Sequence, residues 1–321
     1  MNIEDIVVKK DARVVFMGTP EFAVPILKAL IENYNVIGVV TQPDRKVGRE
    51  GAVKETPIKK VAKENNIVVI SPESIKESEN EVFAWKPDVI VTCAYGQILP
   101  PTILQLSRLG CINVHASLLP RLRGGAPIHR AIINGHRKTG ITIMYMSTGM
   151  DAGDIITQKE VEITDTETAS TLHNKLQITG RDLLMETLPS ILDGTNTREK
   201  QDTSKVTYAF NIKREDERID FSKTKREIYN QIRGLNSWPG AFCYLGGKIL
   251  KVWEAKMTEN HFGELNDGQI TALYKEGIGV KVYNGEIILT EIQPEGKPKM
   301  KAIDYLNGIQ NKEELIGKVL D

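Results

Sequence analysis

Through the first half of the chain, short apolar and β-branched runs alternate with stretches whose apolar positions recur at helical spacing. Residues 13–17, 36–40, 67–70, 89–92, 112–115 and 141–145 read as strands. They are nearly continuous in hydrophobicity, which predicts a mostly parallel sheet covered on both faces. Between them, Pro20-Glu21 opens a helix carrying Phe22, Ile26, Leu27 and Leu30, and Ser71-Pro72-Glu73-Ser74 supplies cap chemistry for another. Leu172, Leu176, Leu183, Leu184 and Leu188 predict a longer helix over 168–192.

Residues 193–202 are polar, carry a helix-stop glycine and show no period. They predict a boundary: an α/β domain over 1–194, a linker over 195–208 and a second domain over 209–321. A helical stretch at 225–235 precedes β runs at 242–245, 249–252, 270–274, 280–282 and 287–292, separated by Gly-Gly, Asp-Gly and Asn-Gly pairs. Asn284-Gly285 signals a hairpin. The expected architecture is therefore a Rossmann-like domain followed by a small antiparallel β-barrel or sandwich, OB-like in type.

Composition narrows the class without selecting a function. The 321 residues include 42 Lys+Arg and 42 Asp+Glu, so net charge offers no bulk attraction to nucleic acid or membrane. No apolar run approaches a bilayer span, and the acidic start is unlike a signal peptide. A cytoplasmic, monomeric protein is expected. Cys93, Cys111 and Cys243 are too few and too far apart for a disulfide framework or a zinc site, so reduced thiols and no metal are expected.

The chemistry concentrates at Cys111-Ile112-Asn113-Val114-His115. Strand parity puts Asn113 and His115 on one side and Ile112 and Val114 on the other. Polar side chains in a buried strand cost free energy unless bonded or used, and open α/β sheets bind ligands at the carboxyl ends of their strands. A Pro- and Gly-punctuated loop follows, Ser117 to Pro127, able to offer backbone groups to a flat heterocycle beside Arg121 and Arg123. The loop Gly149 to Asp154 is expected to deliver Asp151 to the same sheet edge. Asn can donate to a developing oxyanion, His can move a proton near neutral pH, and Asp can orient the imidazole. No Gly-x-Ser-x-Gly elbow is present, which favours direct group transfer over a covalent acyl-enzyme.

Asn113-x-His115-x-Ser117-Leu118-Leu119-Pro120-Arg121-x-Arg123-Gly124, followed by Met150-Asp151-x-Gly153-Asp154, resembles the formyltransferases that use 10-formyltetrahydrofolate. Phe16 to Ala23, Thr41 to Arg49, Arg218-Ile219-Asp220-Phe221 and Asn236 to Ala241 resemble the branch of that family acting on methionyl-initiator tRNA. The resemblance runs in order from about Arg13 to Asn307. It implies that Asn113, His115 and Asp151 are catalytic and that Ser117, Leu118, Leu119 and Pro120 line the folate site. It also implies that the loop bearing Arg45 and Arg49 meets the acceptor end of the tRNA. Glu50-Gly51-Ala52 stands where that family often has a basic pair.

Residues 206–321 hold 17 basic and 17 acidic side chains, so RNA binding there requires a local patch. Lys213, Arg214, Lys223, Lys225, Arg226 and Arg233 form one candidate, and Lys297, Lys299 and Lys301 another. Trp238 and Trp253 could stack bases, but a small barrel also needs aromatic core, and the core is where both are expected. His129, His136, His173 and His261 carry no readable partner motif. Rival readings are a sugar-nucleotide N-formyltransferase, a noncatalytic nucleotide- or RNA-binding module and a dinucleotide-dependent oxidoreductase; against the last, this chain has no Gly-x-Gly-x-x-Gly turn after its first strand.

Overall fold

The apolar runs of the first half become adjacent strands in a computed structural model that describes residues 11–47 and 52–321. The strands are β1 (Arg13–Gly18), β2 (Asn35–Val40), β5 (Val69–Ile70), β6 (Val89–Cys93), β7 (Cys111–His115), β8 (Lys138–Tyr145) and β9 (Ile155–Glu162). Two further short strands, β3 (Arg45–Val47) and β4 (Ala52–Lys54), form a separate hairpin. The main sheet has the order β5-β2-β1-β6-β7-β8-β9. It is parallel as far as β7, after which β8 and β9 run antiparallel. β9 alternates exposed and buried positions weakly, and the sequence pattern did not signal it.

Helices cover the sheet where their apolar faces predict. Ile26, Leu27 and Leu30 of the helix Val24–Asn33 are fully buried. That helix is preceded by a short 3-10 turn, Glu21–Ala23, where a single helix from Pro20 was expected. The helix Ala169–Leu192 matches its leucine spacing, with Leu172, Leu176, Leu184 and Leu188 inaccessible. Its Gly180 lies over the apolar face of β7: a Cβ there would sit 3.1 Å from Val114 Cγ1. The opposite face of β7 carries Cys111 into a cluster with Ile90, Tyr95 and Leu99, then turns polar at Asn113 and His115.

Contacts divide the chain into two compact units. The first comprises 1–127, 138–162 and 173–210, and the second 128–137, 163–172 and 211–321. In the second, β10 (Ala241–Leu245), β11 (Lys248–Met257), β12 (Ile270–Leu273), β13 (Ile278–Val282), β14 (Gly285–Pro294) and β15 (Met300–Lys301) form an antiparallel sheet ordered β10-β11-β14-β13-β12, with β15 on β14. Leu320 bridges to Leu245 and Val319 to Gln269, so one segment spans both edges of the sheet. Ile228 and Ile232 of the helix Lys225–Gly234 join its core. The expected hairpin forms, with Val282 paired to Gly285 across a Tyr283-Asn284 turn. Trp253 is buried as expected, but Trp238 is 70% exposed, beside the His129 ring. Arg233 is also unlike its expectation: it is buried and donates to Asn230, Thr164 O and Glu167 O, which removes it from any surface patch.

The close approach at Gly180 gives a direct test. Gly180→Val should lower the unfolding free energy by about 2 kcal/mol through overpacking against Val114. Gly180→Ala should be near neutral, because its higher helix propensity, about 1 kcal/mol, offsets a contact the neighbour can yield to. Urea denaturation of the two variants measures both.

Candidate active site

The polar side of β7 continues across neighbouring strands. Thr92 of β6 pairs with Asn113, while Met144 and Thr142 of β8 lie opposite Asn113 and His115, and Gln158 of β9 lies opposite Thr142. Paired residues point to the same side of a sheet. A row of Thr, Asn, His, Thr and Gln therefore interrupts an apolar surface, and each member needs a partner.

The partners are specific. Thr92 Oγ1 lies 2.9 Å from Asn113 Oδ1, where it can donate, and 3.1 Å from both Ile112 O and Met146 Sδ. With Oδ1 turned to Thr92, Nδ2 is the end of Asn113 available to donate. His115 is 6% exposed, and its Nε2 lies 3.1 Å from Leu122 O. A carbonyl oxygen only accepts, so Nε2 carries the hydrogen and Nδ1 faces Asp151. Thr142 Oγ1 donates to Ser117 O and accepts from Leu119 N–H and Gln158 Nε2. These bonds hold the loop after β7 against the sheet.

Asp151 reaches this face by an unexpected route. Because β8 is antiparallel to β7, its end at Tyr145 lies opposite Ile112, not His115. The loop after β8 was expected to arrive at the carboxyl end of β7; instead it must return about 10 Å, three residue positions, along the sheet. It does so with Asp151 at φ +46° and with Gly153 packed so closely on Tyr145 that a Cβ would lie 1.8 Å from Tyr145 O. Asp151 Oδ1 then stands 3.7 Å from His115 Nδ1, beyond hydrogen-bond length. The close orienting contact of the imidazole is the Leu122 carbonyl. Asp151 Oδ2 accepts from Gly124 N–H at 2.7 Å.

Gln201, in the polar stretch read from sequence as a boundary, ties these loops together. Its Oε1 accepts from Arg123 Nε at 3.1 Å and Nη2 at 2.7 Å. Its Nε2 donates to Asp151 O and Gly153 O, each at 2.8 Å. No local pattern marks this residue; the one available signal is a glutamine in a stretch otherwise composed for solvent. Arg123 is consequently buried and committed, whereas Arg121 remains exposed.

The residues expected to line the folate site differ in what they present. Ser117 is inaccessible, its hydroxyl donating to Arg121 O at 2.7 Å, and Leu119 is buried. Leu118 and Pro120 are partly exposed. Arg45 is exposed on the β3–β4 hairpin, which is anchored through Asp44 to Lys59 at 2.6 Å and through Gln42 to Tyr95 O at 3.2 Å. Arg49, with Glu50, lies outside the described residues. In the second unit Lys213 is exposed, while Arg214 pairs with Glu217 and lies 3.7 Å from the Phe242 ring centroid. The three cysteines are free and buried, and burial raises each thiol, Cys243 to about 12. Among the described residues no group of three or more His, Cys, Asp and Glu could hold a metal, and no helix is long and apolar enough to cross a membrane.

Known proteins resemble this chain in sequence and fold. Residues 12–188 match the formyl transferase family and residues 211–310 its C-terminal domain. The methionyl-tRNA formyltransferase of Bacillus subtilis is 51% identical over 300 residues, covering 92% of this chain and 94% of the relative. An N-formyltransferase from Helicobacter canadensis, solved with folinic acid and dTDP-3-aminofucose, superposes with a TM-score of 0.67 at 22% identity, covering 88% of this chain and 99% of that one. HypX from Aquifex aeolicus, solved with tetrahydrofolic acid, gives 0.62 at 16% identity, covering 92% of this chain and 46% of that one. With both halves matched in order and half the residues shared with a full-length relative, the chain belongs to the formyltransferase family, on its methionyl-tRNA branch.

Proposed function

We propose that the protein transfers the formyl group of 10-formyltetrahydrofolate to the amino group of methionine esterified to initiator tRNA, acting in the cytoplasm as a monomer. The observation that carries the chemistry is the pairing of an Asn113 amide having a free Nδ2 with a His115 whose Nδ1 faces Asp151. The methionyl-tRNA acceptor is supported by the 51% identity to the Bacillus subtilis enzyme. Behind the sugar-nucleotide alternative stands a likeness of fold at 22% identity.

Asn113 Nδ2 donates to the formyl oxygen as it gains negative charge, a contribution strongest in a water-poor site. The neutral amine forms the new C–N bond, and the bond from the formyl carbon to the folate nitrogen breaks. His115 Nδ1 takes the proton from the attacking amine and returns it to that folate nitrogen. Asp151 balances the transient imidazolium, and the Leu122 carbonyl keeps the ring from turning. Ser117, Leu118, Leu119 and Pro120 shape the wall against which the folate lies, chiefly through backbone and apolar surface. Arg45, Arg49 and Lys213 supply phosphate contacts; Arg214 would first have to leave Glu217.

Formylation of methionyl-tRNA measured with labelled co-substrate tests the assignment. Asn113→Ala should lower kcat by about 10²–10³-fold. For His115→Ala the expected loss is about 10²–10⁴-fold. Full activity in either variant would exclude the reading. Gln201→Leu, which touches neither substrate in this scheme, should cost about 10²-fold in kcat by releasing Asp151 from its position. That loss should nearly vanish in an Asp151→Asn background, because both changes disable the same group.

A further inference from the structure

Outside the polar face of the sheet, the first unit carries one feature that its chemistry leaves unused. Tyr208 and Phe210 are 52% and 60% exposed, and their rings stack with centroids 5.4 Å apart and planes within 5°. The arrangement follows from the backbone. Arg123 N–H donates to Thr207 O, Ala209 N–H to Arg123 O and Ala126 N–H to Ala209 O, so residues 207–209 lie extended along the loop after β7. Side chains alternate along extended chain. Ala209 is buried and its carbonyl fills the space where a Gly124 Cβ would stand, so residues 208 and 210 project outward together.

Within the first unit, Arg198, Lys200 and Lys205 precede the rings in sequence, against Glu199 and Asp202. Exposed aromatic faces with cations nearby in the chain are a combination by which proteins hold single-stranded nucleic acid. The rings take bases irrespective of sequence, and the cations follow the phosphates. Position agrees with this. Leu122 N–H donates to Thr207 Oγ1, and the Leu122 carbonyl is the one facing His115 Nε2. The segment beneath the rings is thus hydrogen-bonded to the residue that orients the candidate base.

We propose that Tyr208 and Phe210 form a stacking shelf for an unpaired nucleobase near the acceptor end of the RNA substrate, steadying the strand beside the reacting amine. The proposal rests on the tRNA reading above, and the two can fail separately. Two arms decide it: filter binding of uncharged tRNA, and formylation kinetics with methionyl-tRNA. The proteins are wild type, Tyr208→Ala with Phe210→Ala, and Tyr208→Phe with Phe210→Tyr.

Loss of one stacked base should weaken tRNA binding and raise KM for methionyl-tRNA about tenfold in the double-alanine protein. KM for the folate co-substrate should not change, and the aromatic exchange should restore wild-type values. On wild-type protein, tRNAs made abasic at each unpaired acceptor-end nucleotide should show one position with a matching loss, absent in the double-alanine background. This arm holds even if the alanine variant folds poorly. Equal binding and KM in all three proteins, no sensitive abasic position, or competition by thymidine diphosphate as effective as by tRNA would overturn the shelf. Wild-type protein that binds tRNA through the rings but does not formylate it would overturn the activity and leave the shelf standing.

Discussion

A single side-chain amide holds the candidate site in shape. Gln201 has two acceptor and two donor positions, and all are used: two by the Arg123 guanidinium, two by the carbonyls of Asp151 and Gly153. Asp151 has a positive φ, which side chains other than glycine seldom adopt, so something must hold it there. The same amide neutralises the cost of burying Arg123, whose backbone carbonyl and N–H carry the segment 207–209. Removing one group from this closed set would leave several others buried without partners, a cost larger than the value of any single bond.

From that anchor the polar side of the sheet follows. Gly124, next to Arg123, donates its N–H to Asp151, and Leu122, on the other side, presents its carbonyl to His115. Thr142 and Gln158 fasten the loop from below through Ser117 and Leu119. Most hydrogen-bonding capacity on this surface is thus consumed internally. What is left without a hydrogen bond inside the site, the Asn113 Nδ2 and the His115 Nδ1 that faces Asp151, is what oxyanion stabilisation and proton transfer would require.

Strand parity made part of this legible from residues alone. Asn113 and His115 share a face because period two admits no other outcome once β7 is a strand, and the leucine spacing of 168–192 located its helix to within a residue. The path of Asp151 was not legible, since the direction of β8 depends on pairing between strands and leaves no local mark. Gln201 was hidden by neighbours suited to solvent. Arg233 and Trp238 were misplaced for a related reason. A cation that caps carbonyls 66 and 69 residues away looks like a surface charge in sequence, and an exposed indole looks like core.

The second unit is assembled from three stretches of chain, with 128–137 and 163–172 contributed long before residue 211. Arg130 binds Asp216, and the carbonyls of Thr164 and Glu167 receive the buried Arg233. Recombination that exchanged only the segment after 210 would therefore part Arg130 from Asp216 and the Thr164 and Glu167 carbonyls from Arg233, leaving two earlier excursions without their counterpart. The second unit is thus interleaved with the first in chain order.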